Sequence, residues 1–257
     1  MSRTLLCFLE YNGAGFYGWQ FQPELRTVQG VFQETVAKMV QHPVQARTTS
    51  RTDKGVHAHA LPVTFQTSKG ISAYGFLRGL NTLLPPDVAV REVREMDAGW
   101  DVRGAVRAKT YAYRYQFGPS RRPLLNQHSH YVRRPSLNVE AMIAAAAAFE
   151  GTHDFSSFRH TGCQASSTVR EIHRAKAYAE TTRPIIQFEV KGSAFLQHMV
   201  RIMSGTLLEV GIGQRAPTEI GDLILARDRT LAGPTLPACG LTLIQVHFDD
   251  LESPAGE

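Results

Sequence analysis

Strand-like and helix-like runs follow one another irregularly along this chain of 257 residues, and nowhere do they settle into a strand–helix–strand rhythm. Parallel strands need a crossover helix between neighbours, so the irregular order predicts an α+β chain with mainly antiparallel sheets flanked by helices. In the first half, Arg3–Glu10 alternates loosely and reads as a strand. Thr27 is placed to cap a helix to about Val40, with Val28, Val31, Phe32, Thr35, Val36 and Met39 on one face and His42-Pro43 ending it. Val44–Ser50 and Ala60–Thr67 read as strands around a polar loop. A helix near Ala73–Leu80, a hard turn at Leu84-Pro85-Pro86-Asp87 and a strand at Val88–Met96 follow.

The second half opens with a long strand, Val106–Phe117, and a Pro- and Arg-rich loop. Asn138 or Ser136 then starts a helix through the alanine run 144–148, with Gly151 at its C-terminal cap. Val169–Ala179 and Ile185–Val190 read as a hairpin, Ala194–Val210 as an apolar helix closed by Gly211, Glu219–Ala226 as a helix that Thr218 caps, and Leu241–Phe248 as a last strand. Charge balance shifts across Asp97–Gly104, which sets two expected domains, 1–103 and 104–257.

Composition narrows the class. Hydrophobic residues make up 43% and charged residues 20%, globular values that exclude a disordered chain. No run approaches the length of a membrane span, and the N-terminus lacks a small-residue cleavage site, so it reads as a strand and not a signal peptide. The three cysteines, Cys7, Cys163 and Cys239, are odd in number and far apart, which argues against a disulfide framework and for a reducing, cytoplasmic setting. The net charge is +5, and it is unevenly placed: eight of the 28 basic residues but one of the 23 acidic ones fall in residues 101–134. Tyr111, Tyr113, Tyr115 and Tyr131 are interleaved with those cations. Such a segment is either a nucleic-acid face, with cations for phosphates and rings for stacking, or a solvated strand.

The loop S-R-T-D-K-G-V-H-A, residues 50–58, is the most informative segment. It sets one acid, Asp53, between Arg51 and Lys54, where cations favour the ionised carboxylate and leave it available as a nucleophile or base; the alternative is an Asp that caps its own turn. His57-Ala58-His59, His128-Ser129-His130 and the group His153, His160 and Cys163 lack zinc spacing, so no metal is expected. Gly13, Gly15 and Gly18 have the wrong spacing for a phosphate loop, and no Gly-Lys-Ser/Thr follows them.

These motifs do not stand alone. Y-N-G-A-G-F-Y-G-W-Q-F-Q-P, T-V-Q-G-V-F-Q, S-R-T-D-K-G-V-H-A, A-K-T-Y-A-Y-R-Y, H-D-F-S-S-F-R, A-F-L-Q-H-M-V-R-I-M-S-G-T-L-L-E-V-G and P-A-C-G-L-T-L run in this order from residue 11 to residue 243. Together they resemble the TruA family of tRNA pseudouridine synthases. The resemblance implies that Asp53 is the essential aspartate, Arg51 the arginine of the R-T-D core, Tyr111 the ring that packs on the target uracil, Arg201 the cation that pairs with the aspartate, and Leu241 an apolar residue of the pocket. Arg51, Lys54 and His57 in the same loop, and Arg121 and Arg122 in the basic segment, are expected to contact substrate. The family usually reads G-R-T-D-A-G-V-H-A, so Ser50 and Lys54 depart from it, and Lys54 puts an extra cation beside the aspartate.

The resemblance further implies an active-site cleft between the two domains, and a homodimer acting on uridines 38, 39 and 40 of the tRNA anticodon stem-loop. Pseudouridylation breaks the N1–C1′ bond, turns the uracil and rejoins it through C5. Nothing is oxidised, hydrolysed or donated, so no cofactor is expected. One carboxylate suffices, in contrast to the paired carboxylates of glycoside hydrolysis. The sequence leaves open whether Asp53 attacks C1′ or C6 or removes a ribose proton. A non-catalytic RNA-binding protein would have no need of Asp53 or Arg201, and a metal-dependent hydrolase would need bound metal.

Overall fold

The structure is a computed structural model that describes residues 2–97, 99–249, 251 and 253–254. It divides into two compact units, Met1–Arg107 with Leu243–Glu257, and Ala108–Thr242. Most of the last strand, from Leu243 on, thus counts with the first unit, where the two contiguous domains read from sequence put it in the second. Ala98, inside the expected boundary, and Met1 and residues 255–257, at the ends of the expected domains, lie outside the described residues.

In the first unit, β1 (Arg3–Tyr11) is flanked by β3 (His57–Thr67) and β4 (Val88–Met96), both antiparallel to it, and β10 (Leu241–Phe248) follows β3 in the order β4-β1-β3-β10. β1 is buried on both faces, which explains its nearly unbroken apolar run Leu5–Leu9. On one face Leu6, Phe8 and Ala60 pack with Val102, against Trp100 and Phe248. Elsewhere in the unit, α1 (Val28–Val40) packs on α2 (Ala73–Leu83) and α2 on β4. Phe65 stands edge-on to Phe32 and Phe76, at centroid distances of 6.0 and 5.4 Å. Thr27 caps α1, accepting the Gly30 N–H.

Of the strand expected at 44–50, only β2 (Arg47–Thr48) forms. Pro43 has no N–H to give, and the Ala46 N–H is taken by Gln33 Oε1 at 2.9 Å, so the ladder cannot start earlier.

In the second unit the order is β5-β9-β8-β7: β5 (Val106–Phe117), β9 (Ile185–Gly192), β8 (Val169–Ala179) and β7 (Gly151–Asp154), paired antiparallel in sequence. A short strand absent from the sequence reading, β6 (His130–Val132), runs parallel to β5. α3 (Val139–Ala147), with Asn138 accepting the Ala141 N–H as its cap, packs on β8 and α4. Phe149, Phe155, Phe158 and Phe188 fill the core between.

Three helix ends differ from expectation. Gly151 (φ +107°) opens β7, also unread from sequence, and does not cap α3. α4 is Met199–Gly211 and starts five residues late, because His198 sits at φ +60° and breaks the helical path through 194–198. α5 (Glu219–Ala226) is not capped by Thr218, whose backbone is already helical; Glu219 reaches back to the Ala216 N–H at 2.7 Å instead.

Candidate active site

Asp53 lies between β2 and β3 on a loop bound to the glycine-rich segment after β1. The Trp19 N–H donates to the Thr52 carbonyl at 3.0 Å and the Gly55 N–H to the Phe16 carbonyl at 3.2 Å, while the Val56 N–H closes the turn onto the Asp53 carbonyl at 3.1 Å. The Tyr11 and Thr52 hydroxyls bond at 2.7 Å. Gly13 and Gly18 thus serve contact between the two loops. A Cβ on Gly13 would stand 2.0 Å from the Val56 carbonyl oxygen, and one on Gly18 (φ +86°) 2.6 Å from that of Thr52. Arg26 anchors the same segment, bonding Asp87 through two nitrogens at 2.7 and 2.9 Å and lying 4.0 Å over the Phe16 ring. Trp19 is buried as a packed turn residue, whereas Phe21 is half exposed.

His57 is 2% exposed, and its Nδ1 accepts the Gly13 N–H at 3.1 Å, so the ring ties the two loops together. That bond places the proton of the neutral ring on Nε2. Arg51 is exposed and Asp53 partly so. Lys54 is exposed too, but its ammonium sits 3.8 Å from the centre of the Tyr17 ring, itself 43% exposed. The extra cation of this chain is therefore parked on an aromatic face.

The second unit carries the remaining candidates. Tyr111, half buried on β5 opposite Val190 of β9, meets the Phe195 ring edge-on at 5.2 Å. Tyr113 and Tyr115 are fully buried and do not belong to a stacking face, which corrects the reading of all four tyrosines as an RNA-facing set. Their hydroxyls donate to the Pro237 and Ser204 carbonyls at 2.9 and 2.8 Å, and burial pushes both phenols well above their ordinary range.

Arg201, in the first turn of α4, donates from Nε to the Leu236 carbonyl at 2.7 Å. Leu241, 6% exposed, begins β10 directly after the 3-10 turn Ala238–Gly240. The basic segment divides: Arg114 bonds Gln187 at 2.8 Å within the sheet and Lys109 is partly buried, while Arg121, Arg122, Arg133 and Arg134 stand exposed on loops. Burial lowers Lys109 to about 8. Sequence reasoning missed Tyr11, Tyr17 and Leu236, and took Tyr113 only as one of the stacking rings. The second tyrosine of Y-x-Y was the available signal for Tyr113; a backbone carbonyl such as that of Leu236 leaves none.

Among the described residues, no group of three or more His, Cys, Asp or Glu side chains is arranged to hold a metal ion, and no helix is long and apolar enough to cross a membrane. The three cysteines are free thiols.

The tRNA pseudouridine synthase family profile matches residues 145–249. Over nearly its full length the chain is similar to tRNA pseudouridine synthase A of Geobacter sulfurreducens, with 40% identity over 246 residues, 96% of this chain and 100% of the relative. The same enzyme of Geobacillus kaustophilus is 39% identical over 251 residues, covering 97% and 96%, and that of Myxococcus xanthus 40% over 242, covering 94% and 91%. Fold and likeness together define an RNA-modifying isomerase on an α+β scaffold. The chain belongs to the tRNA pseudouridine synthase family.

Proposed function

We propose that this chain isomerises uridine to pseudouridine at positions 38, 39 and 40 of the tRNA anticodon stem-loop, with Asp53 as the carboxylate that acts on the target nucleotide. The observation that carries this reading is the backbone bonding of the loop that bears one acidic residue. Asp53 is partly exposed on a loop whose backbone is bonded on both sides of it, by Trp19 to Thr52 and by Phe16 to Gly55. A reacting group held this way pays its ordering cost in folding and not in the transition state.

In this reading Arg201 is the cation that pairs with Asp53 and orients it, and Tyr111 packs on the uracil. Leu241 lines the pocket on its apolar side. Arg51 and Lys54 flank the aspartate as phosphate contacts, and Arg121 and Arg122 extend them. His57 serves the substrate by fixing the Asp53 loop. The target base leaves its stack to reach the carboxylate. Uridine and pseudouridine are isomers: the N1–C1′ bond breaks, C5–C1′ forms, C5 loses a proton and N1 gains one, so no redox partner or group donor enters. The enzyme works in the cytoplasm, as a homodimer whose two subunits share each tRNA.

The test is incubation of the purified protein with an unmodified tRNA transcript, followed by carbodiimide treatment and primer extension. Stops at 38–40 that depend on the protein support the reading. Stops elsewhere, or none, overturn it. Light scattering at assay concentration tests the dimer.

A further inference from the structure

We propose that Tyr113 is a positioning residue for Arg201, acting through the backbone of Leu236 and Pro237. The inference rests on the reading of Arg201 as the cation of the reaction and deepens it. Arg201 and Gly205 lie one turn apart on α4, and residues 233–237 run along that same face. The absence of a side chain at Gly205 lets the Pro234 carbonyl come so close that a Cβ there would stand 1.9 Å from its oxygen. The Gly233 N–H donates to Thr206 Oγ1 at 3.0 Å, and the Leu236 N–H to the Arg201 carbonyl at 3.3 Å. The segment is thereby tied to the helix on both sides of Gly205, and its Leu236 carbonyl receives the Arg201 Nε–H.

A guanidinium is planar, so a bond at Nε restricts the directions in which Nη1 and Nη2 meet an acceptor. The acceptor at Nε is part of the Leu236–Pro237 peptide. Proline restricts one end of the peptide (Pro237 φ −54°), and the next carbonyl, that of Pro237, accepts the Tyr113 hydroxyl at 2.9 Å. Gly240 leaves room for the ring, since a Cβ there would fall 2.6 Å from Tyr113 Cζ. Tyr113 is fully buried on β5, and its phenol stays protonated at every working pH. It is a fixed post from which the peptide holding Arg201 is hung.

The experiment compares Tyr113→Phe, Arg201→Lys, the double variant and Arg201→Met in single-turnover and steady-state pseudouridine assays. Tyr113→Phe keeps the ring and loses one donor; it should lower kcat about tenfold with KM for tRNA within about twofold, the signature of misorientation and not of lost binding. Arg201→Lys has no Nε–H for Leu236, so adding Tyr113→Phe to it should cost less than about twofold more. If Tyr113→Phe fails to fold, Leu236→Gly loosens the same carbonyl without touching β5 and should show the same kcat loss. Wild-type kcat in Tyr113→Phe while Arg201→Met is inactive would overturn the positioning role alone. So would a full multiplicative effect on top of Arg201→Lys, or an activity loss that merely tracks the folded fraction. Wild-type turnover by Arg201→Met would instead remove the reading of Arg201, and the positioning role with it.

Discussion

The Nε–H of Arg201 donates to the carbonyl oxygen of Leu236 at 2.7 Å, so a cation on a largely buried helix takes its orientation from a loop 35 residues further along the chain. Flush packing of that loop on Gly205 makes the bond possible, and the glycine is therefore as consequential as the arginine. Gly205→Ala forces apart two backbones that a Cβ would bring to 1.9 Å. The variant should lose more than about 2 kcal/mol of stability, as overpacked buried sites do, and should lose activity beyond that. Urea unfolding at equilibrium checks the first figure; an unchanged midpoint would contradict the packing.

Gly18 makes the matching case in the first unit. Its φ of +86° and the 2.6 Å approach of a Cβ to the Thr52 carbonyl oxygen both resist any side chain. Gly18→Ala should cost about 1–3 kcal/mol and displace the Asp53 loop, lowering kcat more than KM. Kinetics at a temperature well below the variant's melting point separate the two effects. Wild-type kcat would mean that the loop does not need this glycine.

Arg121 and Arg122 are exposed on the loop after β5. Reversing both to Glu should weaken binding to all tRNA substrates alike, and each lost phosphate contact should reduce the slope of log K against log salt by roughly one. Filter binding across a salt series reads this directly. An unchanged slope would leave these arginines as solvated charges.

Alkaline stability carries a sign that follows from burial. The thiol of Cys7 and the phenols of Tyr113 and Tyr115 are raised by desolvation, so the folded chain holds protons that the unfolded chain releases above about pH 8.5 and about pH 10. Fewer protons are bound unfolded than folded, and stability falls as pH rises; the full contribution is present only below those values. Lys109, lowered to about 8, acts in the opposite sense, but only until the unfolded lysine also deprotonates near about pH 10.4. Above about pH 11.5 the decline should therefore stand alone, approaching about 1.4 kcal/mol per pH unit for each buried phenol. Tyr115→Phe should be less steep over that range in urea titrations; equal slopes would contradict the assignment.

Much of the fold was legible because its strands carry their own boundaries. Val88–Met96, Val106–Phe117, Val169–Ala179 and Leu241–Phe248 are apolar or alternating runs bounded by turn residues, and they form where the pattern puts them. What escaped depends on contacts distant in sequence. β6 and β7 are three and four residues long and exist by pairing with β5 and β8. Ala194–His198 has helical composition, and only the left-handed turn at His198 excludes it from α4.

At the site, motif order alone named Asp53, Tyr111 and Arg201. The reason for the glycines at 13 and 18 was hidden, because it lies in the carbonyls of Val56 and Thr52 and not in any residue type. The tyrosines of β5 misled for a related reason: alternation along a strand says which residues share a face, not whether that face meets solvent.

The central claim is that Asp53 carries the reaction, and Asp53→Asn tests it most directly, since the change is isosteric and removes one charge. Purified wild type and variant should be compared for pseudouridine formed at positions 38–40 of one tRNA transcript, with tRNA affinity measured alongside. The expected result is affinity within a few fold of wild type and no pseudouridine above background. Appreciable pseudouridine formed by the pure variant would contradict the account.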